Sequence, residues 1–185
     1  MTRAPLIETA RLRLRARTID DFPAFAALQG DPEFHRFING APVAEPEAWG
    51  KFLVAAGAWC LLGYGYWIVE DKESGLYLGD AGVSNFHRAI EPPLDAPEAG
   101  WGFAPAVWGR GIATEAMTAV MGWCDRHLDA PTVCCIIDPA HVASIAVARK
   151  VGFEPGESAI FKGKPTLVLR RNRRISGISG VEHQV

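Results

Sequence analysis

The longest regular pattern in the chain runs from Ile112 to Leu128. Ala113, Ala116, Met117, Val120, Met121 and Cys124 recur there at helical spacing. The segment therefore predicts an amphipathic helix with one broad apolar face. Such a face needs a second layer to cover it. The residues just upstream supply one: "EAGWGFA", ending at Ala104, is strand-like. Between strand and helix lies "WGRG", so strand, glycine-bearing loop and helix form one unit. The chain must build a sheet with a helix packed on it.

The flanking segments extend that sheet. Leu12 and Leu14 alternate with Arg11, Arg13 and Arg15, the period of two of a strand with one buried face. "TIDDFPAFAALQGD" follows as a helix capped by Thr18 or Asp20, then "DPEFHRFI" as a short helix with Pro32 in its first turn. "EPEAWGKFLVAAGAW" is helical, with Trp49, Phe52, Leu53 and Ala56 on one side. "YGYWIVED" and "GLYLGDAGVSNF" form a hairpin across "DKESG", and "RAIEPPLDAPEAG" is a proline-rich loop. Gly100 and Gly102 inside the next strand imply a bulge or a close approach to its backbone. "TVCCIID" is a buried strand, "PAHVASIAVARKV" a helix ended by Gly152, and the stretch around Gly163 a closing pair of strands. The expected class is α/β (α+β): seven strands in a mixed sheet, helices on both faces, one domain over residues 1–171 and a tail over 172–185.

Charge and cysteine content narrow the function. A formal net charge of −2 and a pI near 6.2 give no general attraction to nucleic acid or an anionic membrane. The four cysteines include no CxxC pair, and no His-rich spacing completes a metal site, so buried reduced thiols and no metal are expected. No signal-like N-terminus and no apolar run of about 20 residues occurs, so a cytoplasmic protein is expected. An apolar-rich chain with an edge strand is compatible with a homodimer.

The glycine loop carries the chemistry. A helix start leaves backbone N–H groups without partners, and the helix dipole adds positive potential there. Glycines let several amides turn toward one anion, which makes a phosphate site. The string is not a Walker A loop, which needs GxxxxGKS/T. Nor is it the dinucleotide fingerprint, because Gly109 and Gly111 come late in the chain and Ala113 and Thr114 follow.

"WGRGIATEA" resembles the acetyl-CoA pyrophosphate loop of the GNAT N-acetyltransferases. Trp108 stands where Gln or Arg is usual in that family, as it does in its RimJ/RimL-like branch of ribosomal-protein N-terminal acetyltransferases. "TARLRLRARTIDD", "GDPEFHRFI", "EAGWGFAPAVWGRGIATEA" and "DPAHVASIAVARKVGFEP" resemble further motifs of that branch in the same order. The resemblance implies a mostly antiparallel sheet split between its fourth and fifth strands. It also implies transfer of an acetyl group from acetyl-CoA to a primary amine, either a protein N-terminus or a small molecule. Gly109, Arg110, Gly111, Ile112, Ala113 and Thr114 would ring the pyrophosphate. Phe103 and Ala104 would lie along the pantetheine arm, and Gly102 or Phe103 would donate to the oxyanion. His141 departs from the family pattern, which has Asn there; a modified hold on the arm is expected.

Direct transfer requires a neutral amine, and an α-amine (pKa about 8) meets this more readily than lysine (about 10.4). Ser144 matches the family serine near the thioester sulfur and is the candidate leaving-group acid. Glu98 and His87 are the candidate bases, with His35 a weaker one; an enzyme without a dedicated base is the alternative. Trp49, Trp67 and Trp123 are expected in the core. Phe34 and Phe37 belong either to the core or to the acceptor pocket, and Arg170, Arg171, Arg173 and Arg174 to a solvated chain end, with contact to an acidic partner as the alternative. A non-catalytic CoA-binding module and an ATP- or NAD-binding protein remain as alternatives.

Overall fold

The computed structural model describes residues 3–38 and 41–174. Its frame is one nine-stranded sheet. In chain order the strands are β1 (Ile7–Glu8), β2 (Leu12–Arg15), β3 (Tyr66–Asp71), β4 (Tyr77–Ser84), β5 (Ile90–Glu91), β6 (Glu98–Phe103), β7 (Thr132–Ile137), β8 (Glu154–Phe161) and β9 (Lys164–Asn172). The helices are α1 (Phe22–Gln29), α2 (Pro32–His35), α3 (Glu45–Leu62), α4 (Ile112–His127) and α5 (Val142–Lys150). The strand order is β1-β2-β3-β4-β6-β7-β9-β8-β5. Neighbours run antiparallel except β6 and β7, which are parallel.

The α/β class and the helices on both faces stand as expected; the strand count rises from seven to nine. β1 and β5 are two-residue strands, too short to leave a period in the sequence. β5 lies inside the stretch read as loop: Ile90 and Glu91 pair with Phe161 and Ile160 at the far edge of the sheet. The chain therefore leaves β4, crosses to that edge and returns to β6. Ile90, Leu94 and Ala96 cover Cys134, Ala159 and Val168 on the way.

Alternation divides each central strand between two faces. One face sends Leu12, Leu14, Trp67, Val69, Ala81, Val83, Ala99 and Phe103 toward α4. The α4 side that meets them is Ile112, Ala116, Met117, Val120, Met121 and Cys124, close to the stripe its spacing predicts. Each large side chain buried there contributes roughly 1.5–3 kcal/mol. On the opposite face Phe25 of α1 and Phe52 of α3 pack beside Tyr77.

The inward side of α3 differs from expectation. Ala48, Phe52 and Trp59 are buried, while Trp49 and Leu53 are 38% and 49% exposed. Apolar residues lie all around this helix, so the sequence offers no polar side to set its phase. Trp59 instead meets Trp67 and Trp123 edge-on, at centroid distances of 4.6 and 5.4 Å. Its indole donates to the Tyr66 carbonyl, satisfying a buried N–H.

Two further expectations change. Cys60 is exposed, whereas Cys124, Cys134 and Cys135 are buried. Arg171 is buried and grips Asp125 of α4 at 2.7 Å through both terminal nitrogens, and Arg170 pairs with Asp95. Arg173 and the Arg174 amide also bond Asp125, so the folded chain runs through residue 174. Residues 175–185 of the expected tail lie outside the described residues.

The sheet opens at its centre. β6 and β7 share one register pair, Glu98 with Cys134, and the Cys134 amide donates to the Pro97 carbonyl at 2.9 Å. Beyond that point the strands part. Because they are parallel, the helices that follow them, α4 and α5, both start at the open end of this wedge.

Candidate active site

The loop at the mouth of the wedge has an unusual backbone. Gly109 and Gly111 adopt φ of +73° and +76°, a region that glycine enters without strain. Val107 and Trp108 still donate to the carbonyls of Ala104 and Pro105. Among the described residues, no N–H from Gly109 to Thr114 makes a well-formed hydrogen bond to a protein acceptor; the next amide, Glu115, bonds the Gly111 carbonyl at 3.0 Å. Gly111 caps α4 without a side chain. Six successive amides therefore stand open at the start of a sixteen-residue helix, a ready anion site. The Trp108 indole donates to the Phe103 carbonyl at 2.8 Å and ties the loop to the end of β6.

The wedge has its own supply of backbone groups. In an antiparallel ladder, alternate residues turn both N–H and C=O toward the same neighbour. The Ala104 amide bonds Leu78, which assigns Gly102 and Gly100 to the β4 side as well. Ala99, Trp101 and Phe103 then face the wedge, consistent with the Pro97 carbonyl that meets β7. Of the expected contacts, Phe103 can offer its amide to a ligand; Gly102 and Ala104 have theirs engaged on β4.

No bulge occurs in β6, whose register with β4 runs unbroken from Phe103 to Glu98. The strand irregularities fall at Val69/Glu70 and Pro155/Ser158. The wedge comes from β7 diverging. The glycines of β6 answer instead to close approach. A Cβ at residue 100 would fall on the Tyr66 hydroxyl, and one at residue 102 would come within 2.8 Å of the Phe34 ring.

Glu98, Gly100 and Gly102 share the face opposite α4. Glu98 is 5% exposed and its Oε2 accepts from Arg88 Nε at 2.5 Å. The Arg88 guanidinium lies over Phe86 and Phe161, 4.4 and 5.3 Å from their centroids. Burial, with Glu98 nearby, pushes the Tyr66 hydroxyl far above the usual tyrosine range, so it stays neutral. Asp80, opposite Gly102, accepts from Arg17 and Tyr77; its burial raises its pKa against the pull of Arg17.

His87 is exposed in the turn after β4, at φ +45°, with its amide held by Asn85. His35 is buried, and neither ring nitrogen has a well-formed hydrogen bond. Its desolvation lowers its pKa, opposed by the nearby Gln29 carbonyl.

α5 contributes the other wall. His141 precedes its first turn, and its ring stacks on Phe37 at 4.5 Å and 13°. Burial lowers the His141 pKa, with Asp138 opposing, so the ring is neutral at pH 7. Ser144 sits half-buried in the first turn of α5, and its hydroxyl has no hydrogen bond among the described residues. The structure thus gathers the 109–114 amides, Phe103, His141 and Ser144 around the wedge. Glu98 lies at its closed end, on the face away from α4. Arg88, Tyr66 and the Arg17–Asp80 pair were not anticipated. The two glycines of β6 signal that something touches the strand, but not which side chains do.

This architecture has close relatives. Residues 11–154 match the model of the acetyltransferase (GNAT) domain. The uncharacterized protein YkkB of Bacillus subtilis (strain 168) is 30% identical over 167 residues, covering 88% of this chain and 93% of that protein. A GnaT-family acetyltransferase from Bordetella pertussis is 30% identical, with a TM-score of 0.79 over 91% of this chain and 99% of that one. An acetyltransferase from Agrobacterium tumefaciens is 29% identical, with a TM-score of 0.80 over 91% and 95%. The unpartnered helix-start amides, the central wedge and these matches lead to one conclusion: the chain is an acyltransferase of the GNAT family.

Proposed function

We propose that the protein transfers an acetyl group from acetyl-CoA to a primary amine, a protein N-terminal α-amine or a small-molecule amine, by direct attack. The carrying observation is the row of open amides from Gly109 to Thr114 above a wedge edged by Ala99, Trp101 and Phe103. A diphosphate suits the first and an extended amide-bearing arm suits the second. RimL, a ribosomal L7/L12 α-N-protein acetyltransferase in complex with coenzyme A, shares the fold at 16% identity and a TM-score of 0.74.

The thioester supplies an activated acetyl group; the remaining work belongs to the chain. The loop amides hold the diphosphate. The Phe103 amide, free of β4, donates to the acetyl oxygen as charge builds there, a contact worth about 3–4 kcal/mol in the transition state. Ser144, with an uncommitted hydroxyl, protonates the departing sulfur. Neutral His141 bonds the arm where the family uses Asn. Glu98 draws the proton from the amine through water, held in place by Arg88, and an acceptor that arrives already neutral needs less of this help. His87, exposed and outside the wedge, is the weaker base.

Thermal shift with CoA, ATP and NAD tests the cofactor, because a ligand that binds only the folded chain raises its Tm. CoA should give the largest shift; a larger one with ATP or NAD would overturn the reading. Thiol release from acetyl-CoA across peptides, amino acids and polyamines then tests transfer. Binding without release for any amine would leave a CoA-binding module.

A further inference from the structure

Arg11 lies in the turn between β1 and β2, ninety-nine positions from the loop residue it holds. Its Nη1 donates to the Arg110 carbonyl at 3.0 Å. Its Nε donates to Glu115 Oε2 at 2.7 Å, and its backbone amide to Glu115 Oε1 at 2.9 Å. The Thr9 hydroxyl adds a third donor to Glu115, at 2.6 Å. Burial would raise the Glu115 pKa, but these hydrogen bonds outweigh it and hold the carboxylate below its ordinary range.

Glu115 is therefore an anion in the first turn of α4, next to the amides expected to receive a diphosphate. Left alone it would repel that ligand. Arg11 cancels the charge. It also sets one peptide plane. In a trans peptide the C=O and the following N–H point in opposite directions. With the Arg110 carbonyl turned to Arg11, the Gly111 N–H faces the other way, out of the β1–β2 side of the loop. A half-exposed ion pair is worth little as a structural tie, so its main consequence is local.

We propose that Arg11 is a positioning residue for the cofactor loop: it orients the Arg110–Gly111 peptide toward the diphosphate and neutralises Glu115 beside it. This rests on the reading that the loop holds coenzyme A by its diphosphate.

The test compares the Kd of coenzyme A with that of pantetheine, which has the same arm and no diphosphate, using the full chain and its tryptophan fluorescence. In the wild type, coenzyme A should bind far more tightly. Arg11→Gln should shrink that preference about tenfold, the size of one charge-assisted hydrogen bond. Arg11→Lys should recover part of it, since an ammonium can neutralise Glu115 but lacks the fork that also reaches Arg110. Proportional weakening of both ligands, or no change, would overturn the proposal. Should Arg11→Gln fail to fold, a wild-type preference in Arg11→Lys would overturn it equally. A wild type without any preference would sink the diphosphate reading itself.

Discussion

Ser144 and Arg17 illustrate two kinds of polar side chain in this protein. The Ser144 hydroxyl is uncommitted and half-buried at the start of α5, so losing it should cost chemistry rather than structure. Ser144→Ala should lower kcat by roughly 10²-fold or more, in the range of a lost general acid, with little change in the Kd of CoA. Equal effects on both would reduce Ser144 to a binding role. Arg17 is the reverse case. Its side chain is 4% exposed, paired with Asp80 at 2.8 Å and set over Phe25 and Phe52. Its Nε and Nη1 have no hydrogen bond. Arg17→Ala strands a buried carboxylate and should cost about 3–5 kcal/mol in urea unfolding. Adding Asp80→Asn should restore part of that loss; no restoration would mean that Arg17 acts through packing instead.

Strand β6 presents different partners on its two sides. One face and one edge are covered by α4 and β4; the other face and edge meet Tyr66, Phe34 and the wedge. Gly100 is small because the Tyr66 hydroxyl occupies the place of a side chain. Gly100→Ala should therefore destabilise the protein by about 1–3 kcal/mol, the usual cost of overpacking. Tyr66→Phe in the same chain should return part of it, since the hydroxyl is the nearest atom. A Gly100→Ala midpoint equal to wild type would show that the strand shifts freely, and the wedge edge with it. At this scale the sequence was legible where an element has two unlike sides. Leu12 and Leu14 are fully buried between arginines as their alternation requires, and α4 buries the stripe its spacing marks except for the half-buried Ala113. α3 lacks that contrast, so its phase was set by where Phe52 and Trp59 could pack.

Across the whole molecule, two histidines link stability to pH. Burial lowers the pKa of both His35 and His141 below 6.5 in the folded state. The unfolded chain then takes up protons near pH 6.5 that the folded chain refuses until lower pH. Their contribution is complete above about pH 7 and is lost as pH falls through 6.5 toward the folded values. Tm should therefore drop between pH 7.5 and 5.5. His35→Leu should flatten the drop, and because neither ring nitrogen has a well-formed hydrogen bond, Tm at pH 7.5 should fall little. An unchanged slope would take His35 out of this account.

The helix periods, the alternating strands, the glycine loop and the order of motifs were present in the sequence, because each depends on residues only a few positions apart. The contacts of Arg11 with Arg110, Arg17 with Asp80 and Arg88 with Glu98, the far-edge pairing of β5 and the phase of α3 were decided by the tertiary structure. In each case a side chain or short strand had several acceptable partners. Only the assembled sheet, by bringing one within reach and burying the rest, selected among them.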